Sequence, residues 1–360
     1  MTAPAVHSYP CAQCGARVEF APGTNALRCP YCGHVQQLTD TGRQVTEHSY
    51  DELVRLPRKP AASVGRYVFA CQKCGAKTES DALSELCQFC GAALVADVTA
   101  GELVAPEAVL PFVVDRNGVR EALRKWIKSR WFAPSKLKRV SETEQLKGTY
   151  LPHWTFDSKT VSDYTGQRGE HYYTTETYTD SDGNTQTRQV QHTNWYPASG
   201  RVSRDFDDLL VPATQRLDGR SLDKLTPWPL HLARPYQPDY LAGYTALRYE
   251  VEPESGLAVA KTEMAKVIET DCRHDIGGDE QRVSSVQTHY LDVMFKLMLL
   301  PVWIAAYLYA GRSYQIMVNA HTGEVVGKRP YSVWKILAAI VTAILVLTVI
   351  IVIIAVGRHH

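Results

Sequence analysis

The longest apolar stretch of the sequence lies at its C-terminal end. Between Ile336 and Val356 the most polar side chains are those of Thr342 and Thr348. A helix needs about 20 such residues to cross the roughly 30 Å hydrocarbon core of a bilayer. The pattern therefore predicts one transmembrane helix over residues 334–357.

Charges on either side of this apolar run predict an orientation in the membrane. Lys328, Arg329 and Lys335 precede the run, and Arg358 follows it. An excess of lysine and arginine marks the cytoplasmic flank of a span. The N-terminus lacks the basic start and apolar core of a secretory signal. We therefore expect a single-pass protein of the cell (inner) membrane, with its N-terminal region in the cytoplasm and lipid contacting 336–356.

Helical periodicity appears twice in the middle of the chain. Val119, Leu123 and Ile127 follow one another at spacings of four and predict a helix over Asn117–Phe132. A similar pattern predicts a second helix over Leu257–Cys272. The region from 97 to 333 is therefore expected to be a mixed α+β domain.

Short motifs suggest that this domain contains two related units. Leu151–Trp154 (Leu-Pro-His-Trp) recurs as Leu300–Trp303 (Leu-Pro-Val-Trp), and each opens an aromatic-rich segment after a predicted helix. The apolar run Leu297–Ala310 is too short to span a bilayer and predicts a buried strand. Alternating residues over Tyr172–Trp195, around the turn 182–184, predict a polar hairpin that forms a projecting arm. The expectation is a pseudo-duplicated domain in which a helix plus a β-hairpin occurs twice.

Eight of the nine cysteines occur in four Cys-x-x-Cys-Gly motifs. Two motifs at this separation are typical of a four-thiolate zinc site, because each turn can present two sulfurs to one metal. The motifs also repeat each other, which indicates a duplicated zinc ribbon. The predicted ligands of the two structural zinc ions are Cys11, Cys14, Cys29 and Cys32 in the first ribbon, and Cys71, Cys74, Cys87 and Cys90 in the second.

Other interpretations of the cysteines fit less well. Disulfides need an oxidising compartment, a redox dithiol needs one motif on a βαβ unit, and catalytic zinc needs an open ligand position. The ninth cysteine, Cys272, is expected to be a free thiol near a helix end; a weak metal cluster with His274 and Asp275 is the alternative. The fold class predicted is multidomain, with boundaries as follows: ribbon 1 over 1–40, a linker over 41–64, ribbon 2 over 65–96, the α+β domain over 97–333 and the transmembrane helix over 334–357.

Composition and net charge alone do not indicate a function or a class of binding partner. The chain of 360 residues is 45% apolar and 21% charged, with a formal net charge of +1, so nothing draws the whole protein to nucleic acid. One segment, 116–139, is strongly basic, with nine lysines or arginines and one acidic residue, Glu121. We interpret it as a solvated helix face, with lipid or nucleic-acid contact as the alternative. The contact residues would be Arg116, Arg120, Arg124, Lys125, Lys128 and Arg130.

Motifs of the common enzyme classes are missing from the sequence. The segment Gly323–Arg329 is one residue too short for a phosphate-binding loop and lacks the hydroxyl that holds magnesium. No zinc-protease, nucleophile-elbow or dinucleotide-binding motif occurs. The chain is therefore not expected to be an enzyme, and an unrecognised enzyme is the third hypothesis after those given below.

Several motifs together carry a resemblance. They are the tandem Cys-x-x-Cys-Gly ribbons, Arg130–Pro134, Leu151–Trp154, Asp275–Arg282, Leu300–Trp303, Asn319–Val325 and the terminal apolar run. In these the chain resembles bacterial tandem zinc-ribbon, tail-anchored membrane proteins of unknown function, which are often labelled primosomal protein N′ or helicase-like. It is more distantly similar to ribbon membrane proteins that accompany phage-shock-type envelope-stress proteins. The latter likeness implies recruitment of a cytosolic partner to the membrane, and no catalytic residue is carried over.

Two functions follow as hypotheses. The first is a membrane-anchored zinc-ribbon adaptor that recruits or scaffolds a cytosolic protein partner, in the setting of envelope stress. The alternative is a membrane-tethered nucleic-acid-binding protein that uses the ribbons and the basic helix 116–139. The ribbons themselves carry no basic patch, which favours the first hypothesis.

Overall fold

The computed structural model describes most of the chain. The described residues are 6–39, 41–55, 67–71, 77–80, 82–87, 92–96, 103–129, 146–179, 181, 183–217, 219–309, 312–327 and 333–357.

Alternating and continuous apolar stretches in these residues form strands far more often than helices. The strands are β1 (Val6–Ser8), β2 (Glu19–Phe20), β3 (Ala26–Arg28), β4 (Val35–Gln37), β5 (His48–Ser49), β6 (Tyr67–Ala70), β7 (Lys77–Ser80), β8 (Ala82–Leu86), β9 (Ala93–Ala96), β10 (Ala108–Val109), β11 (Leu146–Thr179), β12 (Thr185–Pro212), β13 (Arg234–Pro235), β14 (Thr245–Leu247), β15 (Glu280–Tyr309), β16 (Arg312–Asn319) and β17 (Val325–Gly327). The helices are α1 (Tyr50–Arg55), α2 (Arg116–Lys128), α3 (Gly219–Asp223), α4 (Pro253–Ile276) and α5 (Val333–Gly357), with 3₁₀ turns at Leu230–Leu232 and Pro238–Leu241.

Twelve of these strands form one sheet, and three long strands make its centre. Strand β11 lies between β12 and β15 and pairs antiparallel with both. The two Leu-Pro-x-Trp motifs are therefore direct neighbours, with Leu151 opposite Leu300. The central side chains from Tyr150 to Phe156 are all buried, so the sheet carries the core on both of its faces.

Helix α4 covers one face of this sheet. Pro253 occupies its first turn, where a missing N–H costs nothing, and Gly277 ends it at φ 64°. Its buried face includes Leu257, Ala260, Met264 and Ile268, at the spacing of one helical stripe. A Cβ at Gly256 would lie 2.8 Å from the Trp154 ring, so glycine permits the close approach. Each large apolar side chain buried here contributes about 1.5–3 kcal/mol.

The first ribbon shares its apolar core with the main sheet. The buried side chains of Val18, Phe20 and Leu27 belong to the same cluster as Tyr150 and Trp303. The Phe20 N–H donates to the Ala242 carbonyl (2.9 Å), which fixes β2 against the body of the protein. The ribbon is therefore packed on the sheet and is not held by metal alone.

The second ribbon region is also joined to this sheet. Strands β8 and β9 form an antiparallel hairpin, and β8 pairs with β14 through Ala246 and Ser84. Strands β6 and β7 form a separate two-stranded sheet.

The segment predicted as a linker makes specific contacts where it is described. The buried carboxylate of Glu107 accepts hydrogen bonds from the Arg43 guanidinium, from the N–H and hydroxyl of Thr46 (3.2 Å each) and from the His48 ring (3.2 Å). Strand β5 pairs with β15 next to these contacts. Residues 43–49 therefore lie firmly against the sheet.

Several local predictions are confirmed. Helix α2 begins at Arg116 and is described to Lys128, and α4 extends the predicted helix to Pro253–Ile276. The apolar run that was too short to span forms the buried half of β15. The polar hairpin forms from β11 and β12.

The predicted fold class is wrong. The described chain is mostly β-structure organised around one large sheet, rather than a multidomain chain whose α+β domain repeats a helix and a hairpin. Glycines and prolines within β11 and β15, such as Gly148, Pro152 and Pro301, look like strand ends in the sequence. Pairing across long sequence separations carries both strands through these residues.

The predicted membrane span is contradicted as well. Helix α5 forms over Val333–Gly357, but within the described part of the chain no helix is sufficiently long and apolar to cross a bilayer. The single-pass anchor, the inner-membrane location and the lipid contact of 336–356 all depended on that span and lose their basis with it.

Candidate metal centre

The first ribbon presents its cysteines on two matching turns. In the first turn the Cys11 N–H donates to the Ala16 carbonyl (2.5 Å) and the Gly15 N–H donates to the Cys11 carbonyl (2.9 Å). In the second, the Cys29 N–H donates to the His34 carbonyl (2.8 Å) and the Gly33 N–H to the Cys29 carbonyl (3.0 Å).

Both turns need a glycine at the same place. Gly15 has φ 67° and Gly33 has φ 75°, values in the left-handed region that side chains with a Cβ adopt at a cost. The glycine lets the chain reverse immediately after the second cysteine of the pair. This explains the Cys-x-x-Cys-Gly spacing in physical terms.

The four sulfurs converge between the turns. The Sγ atoms of Cys11 and Cys32 lie 3.5 Å apart, and those of Cys14 and Cys29 lie 3.6 Å apart. All four sulfurs lie within 4.8 Å of one another. A tetrahedral zinc ion with Zn–S bonds of about 2.3 Å requires sulfur separations of about 3.8 Å. The four thiols of ribbon 1 therefore form a cluster of the size and chemistry of one metal site.

The electrostatics of the cluster call for a cation. Backbone hydrogen bonding at Cys32 lowers the pKa of the Cys29 thiol to about 7, in spite of its desolvation. Backbone hydrogen bonding at His34 opposes a rise at Cys32, but desolvation and the three neighbouring sulfurs raise the pKa of the Cys32 thiol to about 12. Four adjacent thiolates form together only when a positive ion neutralises them.

The second set of cysteines is described in part. Cys71 and Cys87 are both buried, at 1% and 2% exposure. Cys74 and Cys90 lie outside the described residues. One four-cysteine cluster is therefore present in the described chain, and the second zinc site stays a prediction.

Comparison with known proteins adds one relative. The uncharacterized protein YdjG of Bacillus subtilis (strain 168) is similar, with 27% identity over 335 residues, which is 92% of each chain. No known protein-family model matches the sequence. No solved structure matches it. The match covers most of both chains, and an uncharacterized relative supplies no function.

The basic side chains of helix α2 differ in their exposure to solvent. Arg116, Arg124, Lys125 and Lys128 are exposed, and Arg120 is half-buried. Lys125 pairs with Glu121 at 3.0 Å. Arg130, along with the rest of the basic segment to 139, lies outside the described residues. Three buried residues, Val119, Leu123 and Ile127, hold the opposite face in the core.

The weak metal cluster around Cys272 does not form. Cys272 is fully buried in the α4 face that packs on the sheet, and desolvation raises the pKa of its thiol. His274 is exposed, and the Asp275 carboxylate accepts a hydrogen bond from the Tyr164 hydroxyl at 2.7 Å. Cys272 is a core residue in the described structure.

One charged cluster was missed in the sequence. The buried Lys296 ammonium on β15 contacts the carboxylates of Glu47 (2.7 Å) and Asp208 (2.5 Å). The Asp157 carboxylate accepts the Asp208 backbone N–H at 2.6 Å, where Asp208 has φ 52°. Asp207 completes a group of carboxylates with Glu47 and Asp157. These residues come from four segments that lie far apart in the sequence, so no spacing between them predicts the cluster.

The carboxylates of this cluster predict a pH dependence. Burial, and then the neighbouring Glu47, raise the pKa of Asp157 to about 7 from its ordinary 3.8. The folded protein therefore holds a proton that the unfolded chain releases, and stability declines as the pH rises from about 3.8 to about 7. Asp157→Asn should remove this decline when urea midpoints are compared across that range. The exposed Glu176→Gln is the control, and an unchanged pH profile in Asp157→Asn would contradict the assignment.

Proposed function

We propose that this protein is a zinc-ribbon adaptor that scaffolds a protein partner and is not an enzyme. Each ribbon would hold one structural zinc ion, through Cys11, Cys14, Cys29 and Cys32 and through Cys71, Cys74, Cys87 and Cys90. A closed shell of four thiolates leaves no position for a substrate, so such a metal supports the fold. The observation that carries the protein-binding role is a hairpin arm that extends beyond the sheet.

The arm consists of residues 170–179 of β11 and 185–194 of β12. Pairing of β11 with β15 ends at Gly169, opposite Glu280. The two strands of the arm continue together for ten residue pairs, from Glu170 with Asn194 to Thr179 with Thr185. At about 3.4 Å per residue the arm is roughly 34 Å long. A two-stranded hairpin of this kind is marginally stable in water unless something packs on it.

The two faces of the arm have different chemistry. On one face the Glu176 carboxylate pairs with Arg188 (3.1 Å), and the Tyr172 ring stacks on His192 with 5.2 Å between ring centroids. At the base of the arm, His171 and Thr193 of the other face contact the Glu280 carboxylate (2.9 Å each). Beyond them that face has no charged residue. It is formed by Tyr173, Thr175, Thr177 and Thr179 opposite Gln191, Gln189, Thr187 and Thr185.

The uncharged face is the better partner surface. Tyr173 is 60% exposed in the free chain, although tyrosine is a residue that interfaces favour. An uncharged Thr, Gln and Tyr surface also binds without the cost of burying an ion. We therefore place the partner contact on this face and its open strand edges.

Substitution of the exposed arm tyrosines tests the adaptor role. The triple variant Tyr172→Ser, Tyr173→Ser and Tyr178→Ser should lose the specific partners that the wild-type protein retains in affinity purification and mass spectrometry. Tyr173→Ser alone should lose them too, whereas Tyr172→Ser with Tyr178→Ser, which changes only the opposite face, should keep them. The control is Tyr196→Ser, which removes an exposed tyrosine at the base of the hairpin. Equal recovery from the wild-type protein and the triple variant, or no specific partner in either, would argue against the proposal.

Nucleic-acid binding remains the alternative, with weaker support. The exposed cations described on α2 are four, and one of them is paired with Glu121. Binding to phosphates gains affinity with each lysine or arginine that reaches the backbone. This small set favours a solvated helix face over an extended phosphate track.

A further inference from the structure

A cleft of about 500 Å³ lies between the first ribbon and the body of the protein. Its volume is in the range of sites that bind small molecules or short peptide segments. It is distinct from the four-cysteine cluster and from the hairpin arm. Neither the cysteine pattern nor the proposed adaptor surface accounts for it.

One wall of the cleft is a face of the ribbon sheet. Glu19, Arg28 and Val35 lie directly opposite one another on β2, β3 and β4, and all three line the cleft. Ala26 and Gln37 form the next cross-strand row on the same face. Because side chains alternate along a strand, these two rows share one surface, while Leu27 between them is buried in the core.

The other wall belongs to the body of the protein. Asp115 and Arg116 contribute from the start of α2, and the largely buried Tyr244 and Trp303 lie behind them. The Arg116 guanidinium lies over the Trp303 ring, 5.5 Å from its centroid. Gly243 completes this wall, where an added Cβ would come within 2.6 Å of the Glu19 side chain.

The acidic side chains of the two walls have partners within the described protein, whereas the basic ones form no ion pair there. Glu19 pairs with Arg17 (3.2 Å), and the Asp115 carboxylate accepts the Gly118 N–H (2.8 Å) as the cap of α2. Arg28 and Arg116 form no ion pair with any carboxylate among the residues that the structure describes. Each wall therefore offers one guanidinium that has no acidic partner there.

These features define the chemistry of the ligand. A carboxylate between two guanidinium groups accepts charge-assisted hydrogen bonds from both. An apolar group beside it would cover Val35, which is 49% exposed. A phosphate chain with several negative charges fits less well, because Glu19 and Asp115 lie on the same walls and repel it.

We propose that this cleft binds an acidic peptide segment of a partner protein, with one glutamate or aspartate carboxylate held between Arg28 and Arg116. An aliphatic neighbour of that residue packs on Val35. This is a second binding site, beyond the partner surface assigned to the arm. Because the two sites share no residue, each can fail without the other.

Fluorescence anisotropy with the full chain tests the proposal. The probe is a fluorescein-labelled peptide with a single central glutamate flanked by leucines, compared with the same peptide carrying glutamine or lysine at that position. The glutamate peptide should bind at least about tenfold more tightly than the glutamine peptide, as expected for a hydrogen-bonded charge. Arg28→Glu and Arg116→Glu should each weaken it by about tenfold or more, and Arg28→Glu should shift the preference toward the lysine peptide.

Matched controls separate the cleft from other surfaces. Arg124→Glu changes an exposed arginine on the same helix that does not line the cleft, and it should leave peptide binding within twofold. The arm variant with three serines should also bind the peptide normally. Equal affinity for the glutamate and glutamine peptides, or equal loss in Arg124→Glu, would overturn the proposal. So would tighter binding of a labelled single-stranded oligothymidine that depends on Arg116, which would assign the cleft to nucleic acid.

Discussion

Replacing Cys29 with serine is expected to remove one zinc ion per chain and to destabilise the protein severely. Cys29 is buried, and its sulfur lies 3.6 Å from that of Cys14 within the four-cysteine cluster. Structural zinc contributes about 10–16 kcal/mol to the folding of isolated zinc-finger peptides. The loss here should be smaller, because Phe20 and Leu27 also anchor ribbon 1 in the main core. Elemental analysis and thermal unfolding of the purified variant measure both effects.

A second cysteine in the same chain supplies the control. Cys272 is equally buried but lies in α4, away from the cluster. Cys272→Ser should keep the full zinc content while losing some stability from its buried hydroxyl. If Cys29→Ser binds as much zinc as the wild-type protein, the ribbon 1 cluster is not the metal site. If the wild-type protein binds one zinc rather than two, the site proposed at ribbon 2 is absent.

Replacing Lys296 with methionine is expected to cost about 3 kcal/mol of unfolding free energy, near the lower end of the range for breaking a buried ion pair. The lysine side chain is 7% exposed and sits between Glu47 and Asp208, which are 33% and 29% exposed. Its removal leaves these carboxylates facing each other, beside Asp157, without a positive charge. Urea unfolding of the variant near neutral pH, followed by circular dichroism, measures the cost.

A solvent-exposed ion pair provides the control for the Lys296→Met result. Lys159 and Asp292 form an ion pair at 3.4 Å, with 64% and 71% of their side chains exposed. Lys159→Met should change stability little, because solvent screens such a pair. Similar losses in the two variants would mean that the Lys296 cluster has no special role. Because Glu47 ties residues 43–49 to β15, Lys296→Met should also increase proteolysis of that segment.

Local patterns explain why some elements could be read from the sequence. The stripe of Val119, Leu123 and Ile127 repeats within two turns, so the helical period shows without any tertiary partner. The same holds for α4 and for the polar hairpin. The helices depend on neighbours within a few residues, and the hairpin pairs two segments that follow each other directly along the chain.

The large sheet could not be read in this way. Strand β11 spans 34 residues and includes glycines and prolines that ordinarily end a strand. It persists because β12 and β15 pair along its two edges, and β15 begins more than a hundred residues later. The predicted α+β duplication assigned each Leu-Pro-x-Trp motif to a separate unit, whereas the two motifs lie side by side on β11 and β15.

The apolar run at the C-terminal end is a second place where the prediction from sequence and the structure differ. Its composition determined that the chain would form a helix there, and α5 is present over Val333–Gly357. Composition did not determine a membrane crossing, since the described residues contain no helix that meets the length and apolarity required. Hydropathy is a property of the sequence, whereas a membrane span also requires one continuous helix of sufficient length and apolarity.

By itself the sequence determined the ligands of the ribbon 1 cluster, because two cysteines three positions apart and followed by glycine form a turn on their own. Only the tertiary structure decided what lies around that cluster. It brought Arg28 and Arg116 into the lining of one cleft and placed Lys296 among Glu47, Asp157 and Asp208. The physical reason is distance along the chain. A turn is set by the few residues within it, but a cleft wall or an ionic cluster depends on which distant strands come to lie side by side.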